Sequence, residues 1–303
     1  MYIAWIKLIL KICYRRYSPL NIKNLIYFIK NFHNKKDFYE MLNFWESALS
    51  HKYFYVKKTE NTYIFSNGAI TFSTIKNDTY IAKEVLFEEQ YKIEKNILQF
   101  CGIEKFAFID AGANRAYTSL YFANNEACTN VYAYELSKRT FELAKRNIQR
   151  NSFSNKIKIF NFGLHNKTKT VPLYESESLD CISTLNKDFF DSQQLCNHSS
   201  SKITYVNVIK TSEEFKNIAK EITVPFIFKI DIEGSEYEVF DDLIKNYIKF
   251  FDLCPIIIGE THCGFERLFK KLEPFGYRIF CLKRYLESHC DEFILIKGHY
   301  DDK

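Results

Sequence analysis

The run Phe226-Ile227-Phe228-Lys229-Ile230-Asp231-Ile232-Glu233-Gly234-Ser235-Glu236 ends an apolar stretch in a lysine and three carboxylates. Carboxylates crowded beside an ammonium shift one another's proton affinities, and acid/base chemistry uses such shifts. Asp231 is the first candidate for a general base. Lys229 would anchor the carboxylates or stabilise negative charge, with Glu233 beside them. Glu233 and Glu236 also suit a plainer task, capping the helix that follows. A second run, Ile256-Ile257-Ile258-Gly259-Glu260-Thr261-His262, ends in an acid and a histidine. Asp231, Glu260 and His262 are expected to line one pocket. His262 is the second candidate base, or else a structural histidine. The same three residues offer ligands to a hard divalent cation such as Mg²⁺. Acids beside Lys229 need no ion, so no metal is expected.

Two earlier runs have the chemistry of a cofactor cradle. Phe108-Ile109-Asp110-Ala111-Gly112-Ala113-Asn114 takes an apolar strand through an acid into a small-residue turn. Gly112 and Ala113 let backbone approach a ligand closely, although a turn without a ligand reads the same way. The dinucleotide fingerprint G-x-G-x-x-G is missing its second and third glycines. Asp110 would also repel a pyrophosphate. It suits a cofactor carrying a cationic amino group and a sulfonium. Val131-Tyr132-Ala133-Tyr134-Glu135 ends a second strand in an acid 25 residues after Asp110. A carboxylate there can accept from both ribose hydroxyls, against the plainer reading of a solvated acid.

These residues need parallel strands to bring their ends together. Strands are expected at Phe106–Asp110, Val131–Glu135, Ile157–Phe162, Phe226–Asp231 and Pro255–Glu260. Helices fit at 117–124, 138–151, 212–221, 234–248 and 264–274. Tyr277–Leu282 and Glu292–Ile296 close the chain as a strand pair. Short apolar strands alternating with helices imply a doubly wound α/β sheet covered on both faces. Upstream, Ser66-Asn67-Gly68 between apolar runs signals a hairpin within 52–74, and 82–101 reads as a helix. Residues 1–85 are expected to form a basic helical and β-hairpin extension, and 86–303 the main domain.

Residues 175–202 are rich in Ser, Asn and Gln, between expected strands Thr168–Tyr174 and Ile203–Ile209. They read as a flap over the substrate site or as a disordered insertion.

The first 36 residues carry eight Lys/Arg and no acid; the remaining 34 basic residues against 37 acidic leave net −3. A nucleic-acid partner is therefore not expected at the main domain. Residues 3–17 read as an apolar-basic helix and Ile22–Phe32 as a second apolar-basic segment, either a structural cap or a peripheral contact with an anionic membrane surface or a lipid-linked substrate. No apolar run reaches the ~18 residues of a membrane span, and no signal-peptide cleavage pattern follows the first helix. Nine cysteines without a CxxC pair suggest free thiols in a reducing cytoplasm and no zinc site. The abundance of Lys, Asn, Ile, Phe and Tyr matches AT-rich codon usage.

Asp110-Ala-Gly-Ala-Asn114, Glu135, Lys229-Ile-Asp-Ile-Glu-Gly-Ser-Glu236 and Glu260-Thr-His262 together resemble the FkbM family of methyltransferases, over roughly residues 100–282. The resemblance implies a class I, Rossmann-like fold with a seven-stranded, mostly parallel sheet. It implies S-adenosylmethionine as methyl donor and O-methylation, commonly of sugar hydroxyls in polysaccharide or natural-product biosynthesis. By the same analogy Asp110, Gly112, Ala113 and Asn114 hold the methionine part of the cofactor, and Glu135 the ribose. Ala116 stands where the family usually has glycine, and Arg115 replaces a commonly aliphatic residue. The expected acceptor is a sugar or glycan. An N-methyltransferase is disfavoured, since Asp231-Ile-Glu-Gly-Ser replaces the Pro-Pro-aromatic run of that class. A methyltransferase acting on a non-sugar small molecule or protein, and a non-catalytic S-adenosylmethionine-binding module tethered by its basic N-terminus, stay as the alternatives.

Overall fold

The computed structural model describes Ile26 and residues 35–59, 62–176, 183–187, 190–191, 201–262, 264–285 and 290–298. The helix expected at 3–17 and the apolar-basic segment Ile22–Phe32 lie, apart from Ile26, outside the described residues. Among the described residues, no helix is long and apolar enough to cross a membrane. The chain divides into two compact units between Glu88 and Glu89.

The first unit joins helix α1 (Lys35–Ser50) to an antiparallel sheet of β1 (Phe54–Thr59), β2 (Thr62–Ser66) and β3 (Thr71–Thr74). The expected hairpin is present, with Phe65 opposite Phe72. Asn67 builds its turn by accepting the backbone N–H groups of Ala69 and Ile70. Phe44 of α1 packs edge-on against Phe65, with ring centroids 5.1 Å apart. The helix expected at 82–101 is not continuous. A short α2 (Thr79–Ala82) runs into a π-turn over Lys83–Phe87, and helix α3 (Lys95–Phe100) starts afresh. Glu89 breaks the path with φ 52°, a left-handed conformation that no helix accommodates.

In the second unit, strands and helices alternate as the apolar periodicity predicts. They run β4 (Phe106–Ala111), α4 (Tyr117–Ala123), β5 (Cys128–Tyr134), α5 (Lys138–Gln149) and β6 (Ile157–Phe160). After an accessory region come α6 (Thr211–Glu221), β11 (Phe226–Ile230), α7 (Glu236–Asn246), α8 (Phe250–Leu253), β12 (Ile256–Thr261) and α9 (Phe265–Leu272). Strands β13 (Tyr277–Tyr285) and β14 (Cys290–Lys297) end the fold. The seven-stranded sheet has the order β13-β14-β12-β11-β4-β5-β6, and only the β14 pairings are antiparallel. β4 and β11 are neighbours although β5 and β6 lie on one side and β12 on the other. The winding reverses at that pair, and such a reversal opens a crevice at the carboxyl ends of the strands.

The accessory region forms a second sheet that the periodicity did not separate from the first. It comprises β7 (Gly163–His165), β8 (Lys169–Ser176), β9 (Ser183–Thr184) and β10 (Ser201–Lys210), ordered β7-β10-β8-β9. One face of the central sheet packs on Phe215, Phe240, Phe250 and Leu268 from the covering helices. Burial of these apolar surfaces is the main stabilising term. Every residue of β4 is buried, as strands covered on both faces require.

Candidate functional site

Strand parity decides which side chains meet. Residues two apart on a strand share a face. Phe226, Phe228 and Ile230 of β11 face the apolar core, together with Ile109 and Ile257 of the flanking strands. Lys229 therefore takes the opposite face. It sits in register with Asp110 on β4 and Ile258 on β12. Asp231 and Glu260, each two residues further on, follow on that face.

Lys229 is buried and sits at the centre of the group. Its Nζ donates to the carbonyls of Gly112 at 2.8 Å and Ala111 at 3.4 Å. It lies 3.4 Å from Asp110 Oδ1 and 3.5 Å from Asp231 Oδ2. Burial alone would lower its pKa, but Asp231, Asp110 and Glu260 outweigh burial and raise it. Lys229 is therefore a fixed cation. Asp110 is enclosed, and its second oxygen accepts from Ser119 Oγ at 2.6 Å.

Tyr91 spans the two neighbouring strand ends. Its hydroxyl lies 3.2 Å from Asp231 Oδ2 and 3.3 Å from Glu260 Oε1, and Lys229 Nζ lies 5.4 Å from its ring centroid. Gln90 donates to Glu260 Oε1 at 2.6 Å, and Cys290 donates to Glu260 Oε2 at 2.9 Å. Burial and the charge of Asp231 push the Glu260 carboxyl above its usual range. Burial pushes the Cys290 thiol up to about 12, so it is a neutral donor.

The loop after β11 brings a second cluster together. Glu233 (φ 55°) and Gly234 (φ 99°) turn the chain into α7. Glu236 Oε1 accepts the N–H groups of Ile232 at 3.3 Å and Gly234 at 3.1 Å, so Glu236 closes the loop ahead of α7 rather than capping the helix. Glu233 instead faces His262, with Oε2 3.5 Å from Nε2. His262 Nδ1 lies 3.1 Å from Glu236 Oε1. Burial disfavours the imidazolium, but Glu233 and hydrogen bonds with Cys290 and Glu236 outweigh it and hold the pKa well above the ordinary value. Glu233 is in turn pushed up by burial, with His262 opposing.

The glycine turn stands beside this group. Gly112 has φ +81°, and a Cβ there would come within 1.7 Å of the Asp231 carbonyl oxygen. Only glycine lets the ends of β4 and β11 lie this close. Asn114 N–H donates to Glu135 Oε2 at 2.8 Å, and Ser137 N–H donates to Glu135 Oε1 at 2.9 Å. Burial raises the Glu135 carboxyl to about 7, with those two backbone bonds opposing. The Asn114 side-chain oxygen is buried and has no hydrogen-bond partner among the described residues.

A model of the methyltransferase FkbM domain matches residues 110–279, from the acid that ends β4 to the first residues of β13. The chain belongs to the FkbM methyltransferase family. Similar solved structures include a methyltransferase FkbM from Methylobacillus flagellatus (15% identity, 73% of this chain and 50% of that one, TM-score 0.44). Another is a protein of the NADB-Rossmann superfamily from Streptococcus agalactiae (13% identity, 70% and 72%, TM-score 0.39). A third is TrmK from M. capricolum in complex with S-adenosyl-homocysteine (14% identity, 68% and 69%, TM-score 0.38). No curated protein sequence matches the chain.

In this FkbM methyltransferase, Lys229, Asp231, Glu260, Asp110, Glu233 and His262 form one connected group, while Glu135 lies on the other side of the glycine turn with Asn114. Ala116, where the family usually has glycine, adopts φ +65°. An L-residue there carries about 1–2 kcal/mol of strain. Sequence reasoning missed Gln90, Tyr91 and Cys290, which hydrogen-bond the acids from outside their strands. It also missed Thr184, a buried residue of the 175–202 segment whose hydroxyl donates to the Glu233 carbonyl. None of the four sits in a motif; only their packing on the strand ends reveals them.

Proposed function

We propose that this chain is an S-adenosylmethionine-dependent O-methyltransferase that methylates a sugar hydroxyl in surface polysaccharide or glycan biosynthesis. The observation that carries this reading is the pairing of two acidic stations beside one glycine turn. Glu135 is buried next to Asn114, and Asp231 is part-exposed next to Lys229.

The first station fits the cofactor. Each Glu135 oxygen takes one backbone N–H and keeps acceptor capacity for a ribose diol. The unpartnered Asn114 oxygen suits the cationic amino group of the methionine part. Asp110, enclosed by Ser119 and Lys229, positions the turn. When bound, S-adenosylmethionine supplies an electrophilic methyl group on a sulfonium.

The second station suits a hydroxyl acceptor. A hydroxyl is a poor nucleophile until its proton has somewhere to go. Asp231 takes that proton as the acceptor oxygen is methylated. His262 pairs with Glu233 and Glu236 and so fixes the loop beside Asp231. Holding the oxygen in line with the methyl group supplies much of the acceleration.

Calorimetric titration with S-adenosylhomocysteine tests the first station, and turnover on a panel of sugar nucleotides and glycans tests the second. Micromolar binding is expected, with Asp231→Asn abolishing turnover and leaving that binding nearly intact. Absence of binding leaves a non-catalytic role, and undiminished turnover in Asp231→Asn removes it as base.

A further inference from the structure

Asp231, Glu233 and His262 offer one donor atom each, all within 4.8 Å of one another. His262 is 6% exposed, whereas the Asp231 and Glu233 side chains are 25% and 28% exposed. The cluster therefore has a closed nitrogen end and an open oxygen end. We propose that Asp231, Glu233 and His262 form a divalent-cation site with an open position facing the acceptor side.

Three observations support it. His262 Nδ1 is engaged by Glu236 at 3.1 Å, which directs Nε2 toward Glu233 Oε2 at 3.5 Å. A carboxylate on the far nitrogen orients a ligating imidazole, and a metal at Nε2 would displace the proton that faces Glu233. Second, Glu236 Oε2 is buried and has no hydrogen-bond partner among the described residues, and Glu236 stands on the same histidine as Glu233 and Glu260. Third, among the described residues Tyr91 and Lys229 both approach Asp231 at Oδ2.

A rival trio, Glu260, His262 and Cys290, shares the histidine. Its carboxylate is already engaged, Oε1 by Gln90 and Tyr91 and Oε2 by Cys290. Two carboxylates with one imidazole suit Mn²⁺, whereas the thiol would favour Zn²⁺. A cation here would make an acceptor hydroxyl more acidic as well as fix its position. That role rests on the methyl-transfer reading; cation binding does not.

Mn²⁺ titration of the full chain, without cofactor or acceptor, is read by the electron paramagnetic resonance signal of the free ion. One saturable Mn²⁺ per chain is expected. Glu233→Gln and His262→Gln should each weaken it by about tenfold or more, and Glu236→Gln by about 10–100-fold. Glu142→Gln, an exposed acid on α5, should leave it unchanged. Glu233 is partly exposed, so its variant keeps the test decisive where the buried His262 variant fails to fold. Absence of saturable binding overturns the site, as does binding that Glu233→Gln does not weaken. Preference for Zn²⁺ that is lost in Cys290→Ser also overturns it, in favour of the rival trio. Mn²⁺ binding in a chain that transfers no methyl group would leave the site standing and count against the function instead.

Discussion

Lys229 Nζ stands 3.4 Å from Asp110 Oδ1, with both side chains buried. The contact ties two adjacent parallel strands together at the ends that carry the site. The ammonium also holds the carbonyls of the glycine turn, so one side chain sets the distance between the turn and Asp231.

Lys229→Met is expected to lose about 3–5 kcal/mol of stability, because it leaves Asp110 as a buried charge without its cation. The transition temperature should fall on the order of 10 °C. Calorimetry or urea unfolding measures this. A loss below about 1 kcal/mol, the range of exposed ion pairs, would show that the charge of Asp110 is neutralised some other way.

Glu135 sets a pH dependence. Its folded pKa, about 7, lies above the ordinary 4.5 because burial disfavours the charged form. The folded state then binds more protons than the unfolded state between those values, so this group's contribution to stability falls as pH rises through the window. Glu135→Gln removes the titration. Relative to the parent, the variant should gain up to about 3 kcal/mol between pH 4.5 and pH 8. Urea unfolding across that range checks it, and a pH-independent difference would place the folded pKa near its ordinary value.

Tyr91 should act as a positioning residue. Tyr91→Phe removes a hydroxyl that lies between Asp231 and Glu260 while keeping the ring near Lys229. A bond to a charged group contributes about 1.5–3 kcal/mol, so turnover should fall about 10–100-fold. Affinity for S-adenosylhomocysteine should hold, and the loss should fall on kcat rather than on KM. A change in affinity alone, with turnover intact, would remove Tyr91 from the acceptor side.

Much of this was legible from the residues in order. Apolar runs of strand length ending in acids placed β4, β5, β11 and β12, because a strand buried on both faces must be apolar throughout and can carry charge only at its end. The two-residue period put Lys229, Asp231 and their neighbours' acids on one face. Gly112 was legible as a point of close approach, expected toward a ligand; the structure puts the Asp231 carbonyl where its Cβ would be.

What only the tertiary structure decided are contacts between elements that carry no local pattern. The break at Glu89 that ends the expected helix has no glycine or proline to announce it, and it is what leaves Gln90 and Tyr91 at the acids. The division of labour among Glu233, Glu236 and His262 was equally hidden. All three could cap, pair or ligate, and the choice follows from a left-handed turn that puts Glu236 on both the loop backbone and His262 Nδ1 and Glu233 on His262 Nε2. The second sheet is a matter of which edge β8 and β10 join, and alternating apolar residues serve any edge equally well. Sequence determined the strand ends and their chemistry through burial and period; the geometry among them came from long-range packing, which no spacing along the chain encodes.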